Sequence, residues 1–191
     1  WKAMHENGDL SAPTCNDCHG NHGAAPPEVE SIANVCGQCH TAQQGLFESS
    51  RHPAAFLRLG KQGCVACHDN HGIRQTSDDM LGTGEEAVCT ECHKPVEPEG
   101  EAATRMRDMI ERLIVERAPS DSLLEQAEGA GLEVSQARFE LEDATNAIVL
   151  ARASTHSARE DSVRARVEAG LQITSRAWER GQGAFRDLRI R

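Results

Sequence analysis

The sequence predicts a mainly α-helical fold with much irregular coil, in which a ligand-rich part, residues 1–100, is followed by a helical part, residues 101–191. Three observations predict it. All eight Cys, eight of the nine His and six of the seven Pro lie before residue 100. Before that point the chain is rich in Gly and Pro and shows little periodicity. After it, apolar residues recur at helical spacing.

The first part carries six basic and fourteen acidic side chains. Its apolar content is too low to offset the entropy of ordering it as an ordinary domain. Either it is disordered or something other than protein supplies its core. The whole chain has a formal charge of −10, which argues against nucleic acid and anionic lipid as partners. No apolar run approaches the roughly 18 residues that a membrane helix needs. Trp1 opens directly on a polar segment, which predicts that the numbering starts at a mature or trimmed end.

The eight Cys form four pairs, each followed at once by His. They are Cys15-Asn-Asp-Cys18-His19, Cys36-Gly-Gln-Cys39-His40, Cys64-Val-Ala-Cys67-His68 and Cys89-Thr-Glu-Cys92-His93. Cys-x-x-Cys-His is the attachment signature of c-type haem. Two thiols add across the two vinyl groups of one porphyrin, and the adjacent imidazole meets the iron from the same side. Paired Cys-x-x-Cys also suits zinc, but zinc does not require His after each second Cys. By chance His follows one such Cys about 5% of the time and all four roughly once in 10⁵. A disulfide framework is a poorer reading, because such close pairs suit ligand or redox work better than stapling. Four large apolar macrocycles would supply the missing core, which predicts that the first 100 residues do not fold without haem.

The first part is also a tandem duplication, with units at about 1–48 and 49–100. The leading His5 recurs as His52, the segment Cys18-His19-Gly-Asn-His22-Gly as Cys67-His68-Asp-Asn-His71-Gly, and each unit holds two Cys pairs. Four irons with proximal His19, His40, His68 and His93 need four distal ligands, and His5, His22, His52 and His71 supply that number. His22 follows His19 by three residues, so even an extended chain separates them by roughly 10 Å. Reaching the far face of its own haem would mean wrapping around the porphyrin edge. His22 and His71 are therefore expected to ligate neighbouring haems, which brings irons close together. Which haem each distal His serves is open. Met4, Met80, Met106 and Met109 are competing axial ligands, since His/Met ligation occurs in cytochromes c; core packing is the better reading for Met106 and Met109.

In the second part all fourteen basic residues are Arg, against sixteen acidic ones. From Glu101 to about Ala118, Ala102, Met106, Met109, Ile110 and Leu113 follow helical spacing. Pro119 is expected to break that run, with Ser120 or Asp121 capping a short helix that Gly129 and Gly131 end. A longer run, about Leu132–Ser157, aligns Val134, Ala137, Leu141, Ala144, Ile148 and Ala151. The last, about Arg159–Arg189, aligns Val163, Val167, Leu171, Thr174, Trp178, Gly181, Phe185 and Leu188. Trp178 and Phe185 are read as core. The three runs predict an antiparallel helical hairpin or small bundle. His156, late in the long helix, is either solvent-facing or a ligand for a haem of this chain, of an adjacent subunit or of a preceding stretch.

The Cys-His-Gly-Asn-His-Gly segment at residues 18–23 and Ser50-Arg51-His52 resemble the multihaem c-type cytochromes with paired CxxCH motifs, over roughly residues 1–95. The resemblance implies an exported, periplasmic or extracellular protein that receives haem outside the cytoplasm, uses bis-His irons and transfers electrons. Some such proteins are shuttles or membrane-complex subunits, and some polymerise as haem wires in which a His of one subunit ligates a haem of the next. The helical tail resembles, more loosely, the C-terminal helices of cytochrome c nitrite reductases and hydroxylamine oxidoreductases. This chain departs from those enzymes: it has no CxxCK site and no Tyr, and every iron has a candidate sixth ligand.

The expected function is electron transfer through four bis-His haems, with no catalytic residues. The alternative is an oxidoreductase subunit with one open haem that reduces nitrogen or sulfur oxyanions. Expected partners are redox proteins, among them other cytochromes, and a second copy in an oligomer or filament; the helical faces could dock either. The negative charge also suits a basic or metal-ion partner. Asp69, Asp78, Asp79, Glu85 and Glu86 form either a calcium site or a solvated acidic loop.

Overall fold

The computed structural model describes residues 6, 8, 10, 12–22 and 32–190. Trp1, Met4 and His5 lie outside the described residues, so the expectations for Met4 and His5 fall there too. Contacts divide the chain into two compact units, Trp1–Arg74 and Gln75–Arg191. This boundary lies ahead of the change of composition near residue 100, because the segment bearing the fourth Cys pair packs with the helices that follow it.

The first unit holds short helices: α1 (Cys15–His19), α2 (Thr41–Glu48), α3 (His52–Leu59) and α4 (Val65–His68), with a 3₁₀ turn at Ile32–Gln38. Thr14 and Asp17 form a capping box that starts α1, with Thr14 N–H donating to Asp17 Oδ2 at 2.7 Å. Pro53 sits in the first turn of α3, where its missing N–H costs nothing, and Gly60 ends that helix at φ 64°. Among the described residues of this unit, Val35 is the one buried apolar side chain, while Leu57, Leu59 and Ile73 stand exposed. The expectation that residues 1–100 are poor in core side chains matches this distribution as far as residue 74; beyond it, Met80 and Ala87 are buried.

The second unit is built on three long helices: α5 (Pro98–Gly129), α6 (Ser135–Ser154) and α7 (Glu160–Ile190). Ala103, Met106, Ile110 and Leu113 of α5 meet Ala147, Ile148 and Ala151 of α6 and Val163 and Val167 of α7. A second cluster joins Leu124 and Ala127, then Val134, Ala137, Leu141 and Ala144, then Ala177. The order of these residues makes the bundle up-down-up: α6 runs antiparallel to both neighbours. Gly131, at φ 74°, closes α5 in a Schellman motif in which Leu132 N–H donates to Ala127 C=O at 3.0 Å and Gly131 N–H to Glu128 C=O at 2.9 Å. Ala158, in the left-handed region at φ 49°, turns the chain from the 3₁₀ turn Thr155–Ser157 into α7.

Two expectations are corrected here. Pro119 does not break the helix; α5 runs through it from residue 98 to 129. A helix-interior Pro costs about 3 kcal/mol, but Leu113 and Leu124 on either side are fully buried, and Ser120 Oγ donates to Thr174 C=O of α7 at 3.2 Å. Tertiary burial outweighs the local penalty. Trp178 is not core: it is 38% exposed, while Ala177 beside it is 3% exposed. Along α7 the buried seam is Val163, Val167, Gly170, Thr174, Ala177 and Gly181. It takes the small residue one step before Leu171 and Trp178, because the helices approach too closely for a large one. A Cβ on Gly170 would stand 2.6 Å from Leu113 Cδ2 and 3.0 Å from Ala147 Cβ. Phe185 packs, partly buried, against the second cluster, and Leu188 is 49% exposed.

The segment before α5 rests on the first cluster, with Leu81 and Cys89 packed against it and Met80 buried. Thr83 Oγ1 lies 3.2 Å from Thr104 Oγ1. Gly100 permits the fold-back: a Cβ there would stand 2.2 Å from the Lys94 carbonyl oxygen. Arg152 grips Asp78 with two hydrogen bonds, Nε to Oδ1 at 2.8 Å and a terminal nitrogen to Oδ2 at 2.6 Å.

Leu113, at 0% exposure, lies on α5 in the first cluster, where that helix meets α6 and α7. Leu113→Ala is expected to cost about 2–5 kcal/mol, read as a lowered midpoint in chemical or thermal unfolding of the helical signal.

Candidate haem-binding sites

Each Cys-x-x-Cys-His segment is wound as one helical turn. At the second motif Cys39 N–H and His40 N–H both donate to Cys36 C=O, at 3.2 and 2.9 Å. The third repeats this with Cys64 C=O at 3.2 and 3.1 Å, and the fourth with Cys89 C=O at 3.2 and 2.9 Å. In the first motif α1 spans all five residues. Residues three and four apart share a face of such a turn. Both thiols and the imidazole of a motif therefore project to one side, as two thioether bonds and one axial bond to a single porphyrin require.

All eight thiols are free of disulfides; Cys18, Cys36, Cys64 and Cys89 are half-buried and the other four exposed. Burial pushes the Cys64 thiol above its ordinary range, and the neighbouring Cys36 adds to the shift, partly through a hydrogen bond. Burial likewise raises Cys18, with Cys36 the next cause. Cys36 thus acts electrostatically on thiols of both the first and the third motif.

Room for an apolar group exists beside them. A cavity of about 330 Å³ is lined by Phe47, Pro53, Phe56, Leu57 and Cys64, among others. His52 stands next to it, its ring centroid 5.4 Å from Phe56 and 6.5 Å from Phe47. The rest of the lining is mostly polar, with Asn34, Gln44, Glu48, Lys61 and Gln62, while the adjacent thiol and imidazole are the donors that haem c uses. Exposed Leu57, Leu59 and Ile73 add apolar surface without protein cover. The residues present fit the group.

The repeated turn after the first and third motifs has the same backbone in both. Gly20 and Asp69 have φ/ψ of 70°/−177° and 60°/−174°, and His22 and His71 have φ of 56° and 43°. Non-glycine residues at positive φ are uncommon and cluster at functional sites. His71 Nε2 lies 3.4 Å from His19 Nε2, a contact across 52 residues. His156 sits in the 3₁₀ turn between α6 and α7; its Nδ1–H donates to Ala153 C=O at 3.0 Å, which places the lone pair of a neutral ring on Nε2. Among the described residues no group of three or more His, Cys, Asp or Glu side chains could hold a metal ion. Of the acidic residues 69–86, Asp78 is paired with Arg152.

Sequence reasoning missed the His19–His71 contact and the aromatic seat of His52. The second had a signal, since Phe56 follows His52 by four residues on one helix and so shares its face. Replacing Cys64 and Cys67 together by Ala is expected to lower covalently bound haem by one per chain, measured by haem absorbance against protein and by intact mass.

A family model described as the doubled CXXCH motif matches residues 58–98, which span the third and fourth Cys pairs. No curated protein and no solved structure matches the chain. No described helix is long and apolar enough to cross a membrane. The motifs indicate covalently bound haem c, and their pairing points to a multihaem c-type cytochrome in electron transfer.

Proposed function

We propose that the chain carries four haem c groups, each closed by two histidines, and relays electrons between redox proteins outside the cytoplasm. The observation that supports this reading is the contact of two imidazoles from different repeats, His71 Nε2 lying 3.4 Å from His19 Nε2. An iron between two imidazoles has no position for substrate, so its work is to accept and pass electrons. Bound haem supplies a one-electron Fe(III)/Fe(II) couple. The chain's own residues hold that couple in place: the Cys pairs anchor it and the histidines close it. His52 and His22 stand as further distal ligands, and His156, with its Nδ1 proton fixed, is a ligand for a haem of this chain or of a second copy in a filament.

The fourteen carboxylates of residues 1–100 and two neutral axial imidazoles favour the more positive, oxidised iron. Low reduction potentials follow. A spectroelectrochemical titration is expected to show all haems titrating at or below the potential of a free bis-imidazole haem, with an intact mass four haems above that of the chain. Potentials well above it, or a mass short of four haems, would contradict the proposal.

A further inference from the structure

The His19–His71 contact has a more specific geometry than proximity. A ring nitrogen lies about 1.15 Å from the centroid of an imidazole whose bonds are near 1.35 Å. With Nε2 atoms 3.4 Å apart, 5.7 Å is then the largest separation the two centroids can reach, and 5.7 Å is the separation observed. That limit is met only when both centroids and both nitrogens lie on one line. The ring planes, 18° apart, are therefore edge to edge and not face to face. A hydrogen bond explains the contact poorly, since 3.4 Å exceeds the usual 2.7–3.2 Å of N–H donors. A metal between two imidazoles explains the line: two metal–nitrogen bonds of about 2 Å need roughly 4 Å between nitrogens. An opening of about 0.6 Å would seat one there.

We infer that His71, from the second repeat, is the distal ligand of the haem held by Cys15, Cys18 and His19 in the first. This rests on the reading of the irons as bis-His and adds which histidine serves which iron. The backbone explains how His71 comes to be spent on a foreign haem. Asp69 at φ 60° and His71 at φ 43° turn the chain sharply directly after His68, and the His71 ring meets His19 of the first motif. The left-handed region costs about 1–2 kcal/mol per non-glycine residue, so two such residues in four need a compensating bond, and axial ligation supplies it. Gly20, at φ 70°, meets the same demand in the first repeat without a Cβ.

The pairing has a structural consequence. Iron ligation from His19 to His71 closes a loop that contains the second and third motifs, α2 and α3. A cross-link of this span removes conformational freedom from the unfolded chain. The first haem is then a staple between the two repeats as well as a redox centre, and a single repeat could not complete it.

The test is solution NMR of the fully reduced, diamagnetic four-haem protein. The haem whose thioether protons show contacts to Cys15 and Cys18 is identified first, and then the histidines on its two faces. The expected result is ring-current-shifted His71 ring protons with contacts to that haem, opposite His19. In His71→Ala these signals should vanish, and one iron per chain should bind carbon monoxide where wild type binds none. Another histidine opposite His19 would overturn the pairing and leave the bis-His reading standing. No second histidine on that haem would overturn both.

Discussion

One helical turn with a thiol at its start, a thiol three residues on and an imidazole next to it is the unit on which the first part of this protein depends. The turn sets three ligands on one face because side chains three and four residues apart project together. In the second, third and fourth motifs the first Cys carbonyl accepts from both the second Cys and the His, so backbone hydrogen bonds hold the three side chains of each motif on one turn. The rest of the unit is arranged around these turns rather than around a side-chain core. Val35 alone among its described apolar residues is buried.

The second unit reaches stability by ordinary packing. Its three helices are joined by short turns, and their seam is lined by small residues that permit close approach. Gly170 and Gly181 of α7 cost roughly 1 kcal/mol each as helix-interior glycines. Both sit where a Cβ would stand under 3.0 Å from a leucine, against Leu113 and Leu123 respectively. The fourth Cys turn is supported by this bundle through Cys89 and Leu81, with Gly100 allowing the chain after His93 to fold back. Three Cys-x-x-Cys-His turns therefore lie in a core-poor unit, and the fourth is buttressed by helices.

The chemistry was legible in the sequence because Cys-x-x-Cys-His is local and each motif contains its own geometry. Helix α6 was legible because Ala137, Leu141, Ala144 and Ala151 repeat at helical spacing, and α7 because Val163, Val167 and Thr174 do so. Pro119 misled because its penalty is local while its compensation, Ser120 bonded to Thr174 and buried Leu124, comes from a helix over 50 residues away. Trp178 misled for a related reason: large apolar residues suggest a core, but a close-packed seam selects Gly170 and Ala177. The partner of His19 left no local trace. It lies 52 residues on, and only the fold brings the two rings into line.

The central claim is that these irons are closed by protein ligands on both sides and serve as relays. A low-temperature EPR spectrum of the oxidised protein, with iron quantified per chain, tests it most directly. The account predicts low-spin ferric signals only, at four irons per chain. A high-spin signal approaching one iron per chain would mean an open coordination position, and would contradict the account in favour of a substrate-binding haem.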